Sequence, residues 1–222
     1  TAHAAAVPER FYVSGSGFGH GVGLSQIGAK GLALEGKSAT DITNYFFPGT
    51  SVTTYPDLGN IRVNLAHATT YVTVTGAGFL NKSDGTPVAA IPSGSTLKFA
   101  AVTKTISPSI ATPKVKTIVI PAASSWNVTW ESGALVTVNN GGATTKLAYG
   151  EINLKNVANK IELTATMRLN DQYVYGISEV SSAWPSAAIQ AQAIASRTYG
   201  LSRMGSIRKE CDCNLYNTNT NW

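Results

Sequence analysis

Between about residue 51 and residue 175 the chain repeats one pattern. Short runs alternate apolar and polar residues, and a turn signal closes each run. Ile61-Arg-Val-Asn-Leu and Tyr71-Val-Thr-Val-Thr alternate cleanly, and period-two alternation is the mark of a strand with one buried face. Similar runs lie at Thr96 to Val102, Thr117 to Ile120, Trp126 to Trp130, Leu135 to Val138 and Ile161 to Met167. Ser83-Asp-Gly85 and Asn139-Asn-Gly-Gly142 are the turn chemistry expected between them. A chain with this many short strands must close them into a sandwich, a barrel or a covered sheet. No chemical motif falls inside the region. Asn81-Lys-Ser83 and Asn127-Val-Thr129 match glycosylation sequons, a pattern common by chance.

Helical signals bracket the strands. Leu24, Ile27, Leu32 and Leu34 have roughly helical spacing, and Gly36 is a natural stop. Ser38-Ala39-Thr40-Asp41 has the form of a capping box with Asp in place of Glu. The helix behind it would carry Ile42, Tyr45 and Phe46 on one face and end at Pro48-Gly49. Near the other end, Trp184-Pro185 puts a proline in a first turn, where its missing N–H costs nothing. Ala187 through Arg203 then reads as helix, with alanines at 187, 188, 191, 193 and 195 that let another element pack close. Gln192, Ser196 and Tyr199 share one face of it, either a solvent face or the wall of a site. The fold class is therefore α+β, a glycine-rich loop and small-residue helices around a β-rich central region.

At 222 residues, 43% of them hydrophobic and only 13% charged, the chain has the means to bury a core and is not a disordered segment. Its net charge of +5 suits an anionic partner. The basic residues are scattered, however, so nucleic acid is not expected as a partner. No segment approaches the ~20 apolar residues of a membrane span. Thr1 to Pro8 reads Thr-Ala-His-Ala-Ala-Ala-Val-Pro, which looks like the end of a secretory signal. The chain is therefore expected to be secreted or associated with a cell wall.

The stretch Gly15 to Gln26 holds five alternating glycines around His20. Glycine runs mark sharp bends or close approach, and a histidine there can bind or exchange protons near neutral pH. A dinucleotide loop would need a βαβ unit around it. None follows, and no Gly-Lys-Ser/Thr ending is present. The bland alternative is a glycine-rich turn holding a satisfied histidine.

This stretch resembles the glycine-histidine signature of the sporulation stage II protein D and amidase-enhancer (LytB) family of peptidoglycan-acting proteins. A second block, Tyr173 to Tyr199, is similar to the same family's pattern and is dense from Trp184 onward, ending Ala-Gln-Ala-Ile-Ala-Ser-Arg-Thr-Tyr. It departs at the turn. Gly176 and Glu179 stand closer together than in the common form, and Val180-Ser181 replaces Met-Pro. The glycine block comes first here, an order similar to that of other secreted members. The resemblance implies three segments: residues 1–50 as the N-terminal glycine-histidine block, 51–160 as a β-rich insertion or subdomain, and 161–222 as the C-terminal block. The family's Gln-x-Tyr-x-Gly continuation is missing beyond the cysteines.

The same resemblance implies action on peptidoglycan glycan strands, with Glu179 at the position of the family's catalytic glutamate. Some members are lytic transglycosylases; others are enhancers of an N-acetylmuramoyl-L-alanine amidase. One carboxyl suffices for the first role. It protonates the oxygen between muramic acid and glucosamine, then deprotonates the muramic acid 6-hydroxyl that attacks its own anomeric carbon. The nucleophile is tethered, which favours attack by effective molarities of about 10⁵ M or more. An ordinary glycosidase needs two carboxylates, and none of the twelve acids stands out as a partner for Glu179. On this reading Trp184 and Tyr173 supply apolar surroundings for Glu179. Gln192 and Arg197 suit acetamido and carboxylate groups, His20, Ser25 and Gln26 form an opposite wall, and Tyr199 completes the substrate-binding set. The glycine block is expected to pack against the helix after Pro185. No cofactor is expected. Cys211 and Cys213 are either a disulfide across one residue or two ligands of a zinc site that would need more donors, His20 among them. The expected partners are glycan strands and, in the alternative, a cell-wall amidase.

Overall fold

The computed structural model describes residues 10, 12, 14, 21–113, 117–131, 134–177 and 179–217. His20 and the start of the glycine run, and the tail from residue 218, lie outside the described residues.

Helix α1 spans Gln26–Leu34, and Ser25 caps it by accepting a hydrogen bond from the Gly28 amide at 3.1 Å. The chain leaves it through Gly36 at φ +84°, where only glycine is unstrained. Helix α2 spans Ala39–Phe46 and starts in the capping box expected from the sequence. Ser38 Oγ accepts from the Asp41 amide at 3.1 Å, and Asp41 Oδ2 accepts from the Ser38 amide at 3.1 Å. These bonds hold the Asp41 carboxyl below its ordinary pKa, the Ser38 hydroxyl contributing most. Ser38→Ala removes one half of this exchange. The expected loss is about 1 kcal/mol of stability, readable as an earlier urea midpoint at unchanged slope. Tyr45 corrects the sequence reading. It is 68% exposed, and Thr43 is buried in its place beside Ile42, because Thr43 hydrogen-bonds back to Ala39 and turns inward.

In chain order the strands are β1 (Asn60–Thr69), β2 (Tyr71–Thr75), β3 (Gly78–Asn81), β4 (Pro87–Ile91), β5 (Thr96–Val102) and β6 (Thr105–Ala111). There follow β7 (Ile118–Val119), β8 (Ser125–Thr129), β9 (Val136–Asn139), β10 (Thr144–Leu147), β11 (Glu151–Val157), β12 (Lys160–Arg168) and β13 (Leu215–Tyr216). They form two sheets. A seven-stranded sheet runs β13-β1-β12-β11-β8-β3-β4, and a six-stranded one runs β10-β9-β2-β5-β6-β7. All neighbours are antiparallel except β1 and β13. Thus β12, from the third sequence segment, lies between β1 and β11 of the second.

The two sheets stack through one apolar layer. Val72, Val74, Leu97 and Phe99 of the smaller sheet share a buried cluster with Leu80, Trp126, Ile152, Leu154 and Leu163 of the larger one. Trp126 lends its indole N–H to the Ile106 carbonyl across the layer at 3.1 Å.

Helix α3 spans Ser186–Arg203, with Pro185 at the N-cap, one position earlier than expected. Its N-terminal half packs Ala188 and Ala191 against Ala29 of α1 and Ile42 of α2. Its other end comes down on the seven-stranded sheet at Gly200. A Cβ there would lie 2.9 Å from Leu169 and 3.3 Å from Ile61. Small residues thus set both of its approaches.

The outer face of the seven-stranded sheet is polar. Asn81, Asn127, Asn153, Thr164 and Asn64 stand in register across five strands, each opposite the next. Both sequon asparagines belong to this row: Asn81 donates to Thr129 at 2.9 Å, and Asn127 accepts from Asn153 at 3.0 Å. The segment around Cys211–Cys213 covers part of this face. Asp212 pairs with Arg62 and Lys155, and Asn64 donates to the Cys211 carbonyl. Buried Glu162 accepts from Asn64, from the Ala68 amide and from the His67 ring.

Candidate functional site

Glu179 follows a connector that leaves β12 through a single π-helical turn, Leu169–Tyr173, and enters α3 at Pro185. Both ends of the connector are fixed. Leu169 is buried against Ile61, Val63 and Leu215, with Tyr173 and Tyr199 packed beside it. At the far end Trp184 packs into the α1–α2–α3 cluster, with Lys30 Nζ 5.1 Å from its ring centroid. Between these anchors Glu179 is exposed.

Tyr173 registers the carboxylate. Burial, then Tyr199, then the charge of Glu179 push its phenol up to about 12. The folded state therefore holds this proton more tightly than the unfolded chain, whose phenol has the ordinary value of 10.0. The stability tied to Tyr173 is complete below pH 10 and is lost as pH rises from 10 towards 12. An ultraviolet titration is expected to show one late tyrosine ionising near pH 12, and Tyr173→Phe to remove it.

The other residues singled out in the sequence divide by place. Ser25 and Gln26 form the cap and first residue of α1, which packs on α3 through Ala29; most of the glycine run before them lies outside the described residues. His20 is outside the described residues. Trp184 sits in the helix cluster rather than enclosing the exposed Glu179. Gln192 donates to Ser196 at 3.1 Å, so two members of the polar stripe satisfy each other. Tyr199, its third member, packs with Leu169 and Val63, and the Arg203 guanidinium lies 5.1 Å from its ring. Arg197 is half-buried, and its Nε is buried without a hydrogen-bond partner. Cys211 and Cys213 are joined in a disulfide, so neither sulfur stands as a free thiolate. No cluster of three metal-ligating side chains occurs among the described residues.

Sequence reasoning missed the ion pair at the start of the connector. Arg168 donates to Asp171 through Nε and Nη2, the latter at 2.6 Å. This bond is the main reason the Asp171 carboxyl is held below its ordinary pKa. The spacing i, i+3 at the end of a strand was the available signal.

With this geometry in place, the resemblance acquires independent support. Residues 157–222, the part of the chain that carries the connector, Glu179 and α3, match the Stage II sporulation protein family. The match does not extend to the glycine-histidine block. The chain is 46% identical over 46 residues to the amidase enhancer of Bacillus subtilis (strain 168), covering 21% of this chain and 6% of that protein. It is 52% identical over 40 residues to stage II sporulation protein D of the same organism, covering 18% of this chain and 12% of that one. The Bacillus amyloliquefaciens stage II sporulation protein D is 48% identical over 40 residues. The chain thus spans only a small part of the curated relatives it matches. No solved structure matches. Among the described residues no helix is long and apolar enough to cross a membrane.

Proposed function

We propose that this chain is an exported protein that cleaves peptidoglycan glycan strands as a lytic transglycosylase, with Glu179 as acid and then base. The observation that carries the reading is the position of Glu179. It lies in the family segment, exposed to a polymer too large to be enclosed, on a connector fixed at both ends by Leu169 and Trp184. The protonated carboxyl gives its proton to the glycosidic oxygen as the bond to the muramic acid anomeric carbon breaks. The 6-hydroxyl of the same muramic acid then bonds to that carbon, and its proton returns to Glu179. The products are a free glucosamine hydroxyl and a 1,6-anhydro end. Arg197, a half-buried guanidinium on α3, suits the substrate carboxylate, alongside Gln192, Ser25, Gln26 and His20.

A second reading is a wall-binding enhancer of an amidase. Two observations favour it: the similarity to a relative named amidase enhancer, and the exposure of Glu179. Mass spectrometry of purified glycan strands after incubation separates the two. Anhydro-muramic ends support cleavage. Unchanged strands, with faster release of stem peptides when an amidase is added, support the enhancer.

A further inference from the structure

Two residues along the strands from the polar row of the seven-stranded sheet, at Thr129, Glu151 and Thr166, an open cleft begins. Its two adjoining lobes measure about 250 and 410 Å³ and share Trp130, Gly150, Arg168 and Gln172 in their walls. The larger lobe falls at the lower end of the range of ligand sites. The cleft collects the ends of four strands. Asn60 opens β1 opposite Arg168 of β12, Glu151 of β11 faces Thr166 of β12, and Trp130 follows β8. Gly150 makes the floor possible. It has φ +87°, and a Cβ on it would lie 2.4 Å from the Thr166 carbonyl oxygen, so only glycine lets the strands close here.

The side chains divide into rings and unused polar groups. Trp130 and Tyr149 line one lobe, and the exposed Tyr175 lies beyond, its ring 6.5 Å from that of Tyr149. Gln172 Oε1 is taken by the Arg168 amide, which leaves its NH₂ group free to donate. Glu151 Oε1 is taken by Asn153, which leaves Oε2 free to accept. No hydrogen bond to another described residue engages the Asn60 side-chain amide or the Trp130 indole N–H. The wall carries no free cation among the described residues: Arg168 is neutralised by Asp171, and Glu151 adds a carboxylate.

We infer that this cleft binds a neutral pyranose sugar unit. A pyranose offers an apolar C–H face that lies flat on an indole or phenol ring. Its rim presents hydroxyl and acetamido groups that need both donors and acceptors. The rings of Trp130 and Tyr149 supply the first; Glu151, Gln172 and Asn60 supply the second. An anionic ligand would meet a guanidinium already paired and an unpaired carboxylate. The inference shares its substrate class with the function proposed above but stands on different residues, so the two fail separately.

The test is a titration of the Glu179→Gln chain with the N-acetylglucosamine tetramer, followed by ¹H–¹⁵N NMR. Saturable shifts are expected at the Trp130 indole, the Gly150 amide and the Gln172 side-chain amide. Tyr149→Ala, at an exposed position, and Gln172→Glu, which keeps the acceptor for the Arg168 amide but loses the donor, are each expected to weaken binding about tenfold with the fold retained. The inference is overturned if those three signals stay still at millimolar sugar. It is also overturned if binding survives the double variant, or if inorganic phosphate moves the same signals at lower concentration. Cleavage of glycan strands by the unsubstituted chain, or its absence, bears on Glu179 alone.

Discussion

Glu179→Gln is expected to abolish the formation of anhydro-muramic ends while leaving fold and strand binding intact. Glutamine preserves size and hydrogen bonding but carries no transferable proton. A positioned acid or base contributes about 10²–10⁴-fold, and here one residue acts in both halves of the reaction, so the loss is expected to reach the top of that range. Because Glu179 is exposed and its segment is anchored elsewhere, the variant is expected to melt as the parent does. One spectroscopic change should accompany it. Tyr173 loses a neighbouring negative charge, so its ionisation should move down from about 12, by less than the burial contribution, which comes first among the causes. A Glu179→Gln chain that still produces anhydro ends would sink the transglycosylase mechanism and leave the enhancer reading standing.

Phe99→Ala is expected to be the most damaging single truncation of the sandwich. The ring is fully buried between the sheets, with Val72 and Leu97 of its own sheet in the same cluster as Ile152 and Leu154 of the other. Losing it removes transfer energy and leaves a cavity, together about 3–5 kcal/mol. Urea unfolding followed by tryptophan fluorescence should show a large drop in midpoint at unchanged slope, Trp126 in the same layer being the reporter. A drop worth under about 1 kcal/mol would mean that the two sheets do not share a close-packed core.

The sequence made the strands of the sandwich legible where apolar core residues alternate with polar or small ones, as in β2 and β5. It hid those that break the rule. β6 carries Pro108, which argues against a strand, yet its ring stands opposite Phe99 and its carbonyl accepts from Ile120. β11 reads as polar because Asn153 and Lys155 belong to the outer row, while Ile152 and Leu154 carry the core. Both early helices were readable from the Leu24 to Leu34 spacing, Gly36 and the Ser38–Asp41 box, while the Ser25 cap was not recognised. Tyr45 was misplaced because spacing alone did not say how deep α2 sits. Glu179 stood out through its flanking motif, but its exposure depends on anchors at Leu169 and Trp184 that no local pattern reveals. The cleft was invisible: its residues are drawn from positions 60, 130, 149 to 151, 168 and 172, and only the register of four strands brings them together.

The helical layer is assembled from two segments far apart in the chain. α1 and α2 are complete by residue 46, but their apolar faces have no cover until α3, which begins at residue 186, is in place. A chain emerging amino-end first therefore carries Ala29, Ile42 and Phe46 uncovered while the whole sandwich is being made. Loop closure over that span is paid before the contact rewards it, which slows folding. The segment bearing Glu179 connects the last central strand to α3, so it gains its second anchor only in that closing step. The order of synthesis thus delays the candidate active carboxylate until the rest of the fold exists to hold it.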